Sequence, residues 1–325
     1  MPKLFRVCKN VYTLLPRRST FWNANVNIIK AKENILIDTG SANDPAFNYL
    51  TKILSDLKIK TIDKIIITHS HTDHCQNLGL FADRFGAEVF AHKNAIPILK
   101  HERTIEGFEF WELFKEAYPR IHHSYLIRRL VAMGYNYFSR GEKRVDKITP
   151  LAEGDRIGDL EVLFVPGHSN DSIALLDKEK HCMFTGDMIP WTPYIHTSID
   201  DFRNSIRKIL DCAQHYEINT MIRGHQRPIE AKIEIENYRL FLEDMDIAEQ
   251  RILRQLKLKG DLTARNMLPY VFMRTHFIHN LIYRVLMQTQ LFWIFKYLQS
   301  LEEKHLIYSY KKEHKRWYSL NENRS

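Results

Sequence analysis

The sequence predicts an α/β fold, a sheet covered on the outside by helices, followed by a helical module. Three observations carry that expectation. Short β-forming runs alternate with helical patterns over the first ~230 residues. Several of those runs end on a glycine beside a histidine or aspartate, where a turning backbone would point the side chain off the sheet edge. From about Ala231 onward the pattern is almost wholly helical.

The runs FRVC, VYTLL, NVNIIK and NILIDTG read as strands, the last closed by Gly40 as a turn signal. PAFNYLTKILSDLK has apolar residues at helical spacing, and KIIIT is a buried-type strand that leads into HSHTDHC. AEVFAH is a further strand. A helical, aromatic segment at about 100–147, with Phe108, Trp111 and Tyr137 among arginines, then interrupts the alternation. Strand signals resume with LEVLFVPGH, SIALLD and HCMFTGD, and IDDFRNSIRKILDCAQHY reads as a helix before NTMIRGH. The end is helical apart from LIYSYKKEHKRWYSL, which alternates like a hairpin. The chain is thereby divided into residues 1–235, carrying the aromatic insert, and a module at 236–325.

A composition of 44% hydrophobic and 26% charged residues is that of an ordinary soluble protein. The segment MPKLFRVCKNVYTLL lacks the charged-then-apolar order of a secretory signal. LIYRVLMQTQLFWIFKYL is broken by Arg284, Gln288, Gln290 and Lys296 and falls short of the ~20 apolar residues of a membrane span. Cys8, Cys75, Cys182 and Cys212 form no CxxC and read as free thiols, so a cytoplasmic location is expected. The net charge of +8 lies entirely in residues 248–325, with 14 Lys+Arg against 6 Asp+Glu.

The cluster HSHTDH is the chemical signal. His69 and His71, two apart, can aim at one ion, while Asp73 and His74 can aim at a second. His168 in PGH, Asp187 in TGD, His225 in RGH and Asp38 in LIDTG stand at further strand ends. Imidazoles and carboxylates without thiolate suit a catalytic zinc or a related divalent metal rather than a structural one.

These motifs, in this order, resemble the metallo-β-lactamase superfamily over roughly residues 1–235. The resemblance implies an αββα sandwich with two divalent ions, zinc by preference, at one edge. It assigns His69, His71 and His168 to one ion, Asp73, His74 and His225 to the other, and Asp187 to both. Asp38 falls to a supporting role, and Cys75 is not needed as a ligand. Tyr194 and His196, in the loop after Asp187, are candidates to touch substrate. The tail beginning GHQRPIEAKIEIENY resembles the β-lactamase-like protein 2 and glyoxalase II-like group, whose chains end in a winged-helix module.

The resemblance further implies metal-assisted hydrolysis, with Asp73 orienting the attacking hydroxide and handling its proton. His71 argues against the flavodiiron relatives, and Asp187 with the bare N-terminus argues against antibiotic hydrolysis. A mononuclear-iron sulfur dioxygenase keeps similar motifs and stands third. Ester or thioester hydrolysis stands first, since an aromatic lid suits an acyl group. Cleavage of single-stranded RNA by an endoribonuclease stands second, through the basic module and its cations Lys311, Lys312, Lys315 and Arg316. The helix VLMQTQLFWIFKYLQSL, rich in aromatics and carrying Lys296 as its cation, is suited to packing on the catalytic domain rather than to reading a groove. A binding protein without catalysis would have no use for all seven ligands.

Overall fold

The computed structural model describes residues 3–16, 23–41, 46–100, 145–189, 197–271 and 281–321, without the side chains of 46–48 and 281–289. Most of the aromatic insert expected at 100–147, and both Tyr194 and His196, lie outside the described residues.

The first sheet has seven strands in chain order: β1 (Lys3–Cys8), β2 (Val11–Leu15), β3 (Val26–Ile29), β4 (Ile35–Ile37), β5 (Lys64–Ile67), β6 (Glu88–His92) and β7 (Thr149–Leu151). Pairing is antiparallel from β1 to β4 and parallel from β4 to β7. Parallel neighbours need a crossover. Helix α1 (Ala46–Asp56) supplies it between β4 and β5, and α2 (Thr72–Cys75) with α3 (Leu78–Phe85) supplies it between β5 and β6. A single turn, α4 (Ile96–Leu99), follows β6.

The second sheet is also in chain order: β8 (Arg156–Ile157), β9 (Leu160–Phe164), β10 (Ile173–Asp177), β11 (Cys182–Gly186), β12 (Thr220–Arg223) and β13 (Ile229–Glu230). Its parallel pair, β11 with β12, is bridged by α5 (Ile199–His215). The Ser198 side chain caps that helix by accepting from the Asp201 N–H, and Asp200 and Asp201 complement its dipole.

Strand alternation sorts the side chains into three apolar layers. Ile173 and Leu175 of β10 face inward and join Ile37 and Ile66 of the first sheet in the core between the sheets. Ala174 and Leu176 face outward and pack with Met183 and Met221 under Phe202, Ile206 and Ile209 of α5. On the far side, Ile28, Ile65 and Val89 pack under Leu50, Leu54 and Phe81 of α1 and α3. The result is the expected helix–sheet–sheet–helix sandwich.

The outer layer on α5 does not stop at the sandwich. It runs on into α6 (Ala231–Lys259), α7 (Ala264–Val271), α8 (Leu281–Glu303) and the hairpin β14 (Ile307–Lys312)–β15 (Lys315–Leu320). Phe292, Phe295 and Tyr297 of α8 are buried, and the Trp293 ring stands edge-on to Phe202 and Phe241 at 6.0 and 5.8 Å. A polar latch reinforces the contact: buried Arg203 of α5 pairs with Glu249 of α6 at 2.9 Å, and Ser300 of α8 donates to Asp200 at 2.6 Å. Leu262 bridges Tyr318 of β15 through two backbone hydrogen bonds of 3.1 and 2.9 Å. Lys311, Lys312, Lys315 and Arg316 are all exposed on the hairpin. Among the described residues no helix is long and apolar enough to cross a membrane.

Candidate metal centre

The seven residues singled out as ligands come from the C-terminal ends of β5, β9, β11 and β12, so both sheets deliver them to one edge of the sandwich. Beyond β5, His69 and His71 precede the single turn α2, which carries Asp73 and His74. That turn is fastened from below: the backbone N–H and hydroxyl of Thr39 both donate to the His74 carbonyl, at 2.7 and 3.0 Å.

Among the described residues, three groups of donor atoms gather within 4.8 Å of one another: His69, His71 and His168; His69, His74 and Asp187; and Asp73, His74 and His225. His168 Nε2 lies 2.7 Å from His71 Nδ1 and 3.5 Å from Asp187 Oδ2. Asp187 also approaches His74 Nε2 at 3.3 Å and His225 Nε2 at 3.1 Å, and Asp73 lies 3.3 Å from His225 Nε2. Asp187 thus touches members of both outer groups.

The imidazoles are oriented by what holds their other nitrogens. Asp38, buried at the end of β4 with φ 60°, accepts from the Thr68 N–H at 2.8 Å, from its hydroxyl at 2.9 Å, and from His74 Nδ1 at 2.8 Å. Because the Thr68 hydroxyl donates to Asp38, it accepts from His69 Nδ1 at 3.1 Å and turns His69 Nε2 inward. His225 Nδ1 donates to the Asn23 carbonyl at 3.2 Å, which presents its Nε2 to the cluster.

Electrostatics sets the imidazoles apart. Burial, then the neighbouring His74, pushes His69 well below the usual histidine range. Burial also opposes charge on His74 and His225, but Asp187 above all, with Asp73 beside it, holds both above that range. The same two imidazoles pull Asp187 well below the carboxylate range against its burial, whereas burial dominates at Asp73 and raises it.

The donor set fits divalent metal. Ring nitrogens and carboxylate oxygens converge with no sulfur among them, and His69 Nε2 is buried without a hydrogen-bond partner. Cys75, next to His74, instead directs its thiol to the Ser70 carbonyl at 3.5 Å and packs in the outer core of the first sheet.

Only one of the three motif glycines works as the sequence suggested. Gly186 has φ 52°, but Gly167 and Gly224 have no left-handed backbone, and what they need is the absence of a Cβ. One on Gly167 would stand 2.8 Å from Phe202 Cα, and one on Gly224 would stand 2.8 Å from His74 Cε1 and closer still to Asp187.

Several supporting residues escaped the sequence reading. Asp171 accepts from the Ser70 N–H at 2.8 Å and so fixes the loop between His69 and His71. Asn25 donates through its side chain to the carbonyls of Arg223 and Gln226, at 2.9 and 2.7 Å, and clamps the turn that carries His225. Asp171 stands three residues after His168, so proximity to the PGH motif was the one available signal.

A family model described as "Metallo-beta-lactamase superfamily" matches residues 19–225. The chain is 26% identical over 223 residues to the acyl-coenzyme A thioesterase MBLAC2 of Homo sapiens, covering 62% of this chain and 72% of that one. It is 24% identical over 241 residues to the beta-lactamase-like protein 2 homolog of Caenorhabditis elegans, covering 74% and 67%. Among solved structures, a metallo-beta-lactamase family protein of Thermus thermophilus superposes with a TM-score of 0.70 at 18% identity, covering 97% of this chain and 100% of that one. A beta-lactamase domain protein of Burkholderia ambifaria gives 0.69 at 15% identity, covering 98% and 94%. At these identities the structural likeness speaks for the fold, and its coverage takes in the C-terminal elements.

Proposed function

The chain belongs to the metallo-β-lactamase superfamily of metal-dependent hydrolases, and on that footing we propose that it hydrolyses ester or thioester bonds at a centre for two divalent ions. The observation that carries the reading is a pair of donor triads joined by one carboxylate. His69, His71 and His168 would hold one ion and Asp73, His74 and His225 the other, with Asp187 shared between them. Nitrogen and oxygen donors favour zinc.

Divalent ions bound there would supply Lewis acidity and lower the pKa of water toward ~7. The chain supplies positioning and proton handling. Asp73 is the candidate base: its carboxylate orients the attacking water and takes the proton at an oxygen that burial has made more basic. Asp38 and Thr68 hold the His69 and His74 rings still. Tyr194 and His196 are proposed as donors to the carbonyl oxygen of the substrate.

The named acyl-coenzyme A thioesterase relative favours a thioester of that class. We read residues 236–325 as a winged-helix-like module, and the four exposed hairpin cations favour single-stranded RNA as the second reading. The test is to incubate the zinc-loaded protein with an acyl-coenzyme A and, separately, with single-stranded RNA, running Asp187→Ala alongside. Thiol release by the wild type alone supports the thioesterase. RNA cleavage alone would replace it, and neither activity from a fully metal-loaded protein would refute hydrolysis of both classes.

A further inference from the structure

Helix α6 spans 29 residues and is apolar on two opposite faces. One face, through Ala231, Tyr238, Met245 and Ile252, is buried in the layer shared with α5 and α8. The other, displaced by two residues, carries Ile233, Leu240 and Ile247 at a seven-residue interval, followed by Leu258. These side chains are 46%, 52%, 41% and 66% exposed, and they make up four of the eight large apolar residues exposed in the described structure. A lone exposed leucine needs no explanation. Four on one stripe of one helix, spaced between the polar Asn237, Asp244 and Arg251, do.

The charges beside the stripe are segregated. Glu236, Glu243 and Asp244 flank its N-terminal half, where Arg239 is taken up by Glu236 at 3.8 Å and Lys232 by Glu230 at 2.8 Å, while Arg251 lies on its C-terminal half, donating to the Val271 carbonyl at 2.9 Å, and Arg254 and Lys257 flank it. Such a helix repels a parallel copy of itself and matches an antiparallel one. The same acidic half would be pushed away from an anionic membrane surface.

We propose that this face of α6 is a homodimer interface, in which two copies of the chain pair their α6 helices antiparallel about a two-fold axis near Met245 and Asp246. The arrangement is isologous. It sets Ile233 against Leu258 of the partner subunit, lays Leu240 along the aliphatic stem of Arg251 of the partner subunit, sets Ile247 beside the dyad next to Asp244 of the partner subunit, and lays each acidic half on the partner's basic half. The seam from Ile233 to Leu258 is ~37 Å long at the helical rise. The buried face of α6 and the metal-ligand edge of the sheets take no part.

Light scattering of the full chain at low salt tests the pairing. A mass of twice 38.7 kDa is expected, with dissociation favoured in about 1 M NaCl, where charges are screened beyond ~3 Å. Leu240→Lys and Ile247→Lys should each return the mass to 38.7 kDa with turnover unchanged. Orientation is read separately by oxidising a mixture of Ile233→Cys and Leu258→Cys chains. Cross-linked mixed dimers, absent from either chain alone, are the expected result. A monomer at every concentration, a dimer that survives both lysine variants, or an Ile233→Cys chain that cross-links to itself through that residue would each overturn the proposal. So would a monomer that binds anionic vesicles through this face.

Discussion

Replacing Gly224 by alanine isolates steric crowding at the candidate metal centre, because the glycine has no left-handed backbone for a side chain to strain. Its peptide is fixed at both ends: the N–H donates to the Gly186 carbonyl at 2.7 Å, and the carbonyl accepts from the Asn25 N–H at 2.7 Å. A Cβ would run into Asp187 Oδ1 first and lie 2.8 Å from His74 Cε1 and 3.1 Å from the Gly186 carbonyl carbon. Carbon atoms pack at ~3.5 Å or more, so the ring must retreat by about 0.7 Å. His74 cannot do so freely, since Asp38 holds its Nδ1 at 2.8 Å. Misplacing reacting groups by ~1 Å costs about 10²-fold in rate, and a loss of at least that size is expected here, with metal lost from both sites, because Asp187, the nearer obstacle, is assigned to both. Gly154→Ala is the control: with φ +82° and nothing within 4 Å, it should cost about 1–2 kcal/mol of stability and no activity. The assays are thioester and p-nitrophenyl ester turnover, metal stoichiometry by mass spectrometry, and urea unfolding. Wild-type turnover and full metal content in Gly224→Ala would refute the reasoning.

His71→Ala and Asp187→Ala should each lose metal and at least ~10²-fold of the activity while circular dichroism stays native, and retained stoichiometry in both would break the ligand assignment. Asp38→Ala, which strips the partner from His74 Nδ1 and two acceptors from Thr68, should weaken metal binding about 10–100-fold when titrated against a competing chelator. The Asp200 carboxyl is pulled up by burial but held below the carboxylate range by Ser300, Lys304 and Arg203. A depressed folded-state pKa contributes stability above the unfolded value near 3.8 that is lost as pH falls through the folded one. Asp200→Asn should therefore melt below the wild type at pH 7, and the gap should close at the acid end, whereas a constant gap would leave the latch without a charge component.

The candidate metal donors are legible because they sit in short local strings, and their spacing is a local property. The strands between the layers were legible for the same reason, as runs of Ile, Val and Leu. What supports the site is nonlocal. Ser70 meets Asp171 across 101 positions and Asn25 meets Arg223 across 198, and no window of sequence carries such a pair. Gly167 and Gly224 were noticed for the wrong physical reason, since a glycine kept for close approach is spelled like one kept for a turn. β8 and β13 have two residues each, and β7 contains Pro150, so none offered a period to read.

The apolar layer that runs without a break from Met183 and Met221 through Tyr238 and Ile252 to Ile294 and Tyr318 governs how the chain comes apart. Residues 236–325 cannot melt alone without baring the back of the second sheet, so calorimetry should record one endotherm for the metal-free protein rather than two. A polypeptide cut after residue 235 would lose Tyr238, whose hydroxyl donates to the Met188 carbonyl beside Asp187. Such a fragment would present a sticky slab to its neighbours, making it a seed for precipitation and a poor minimal enzyme.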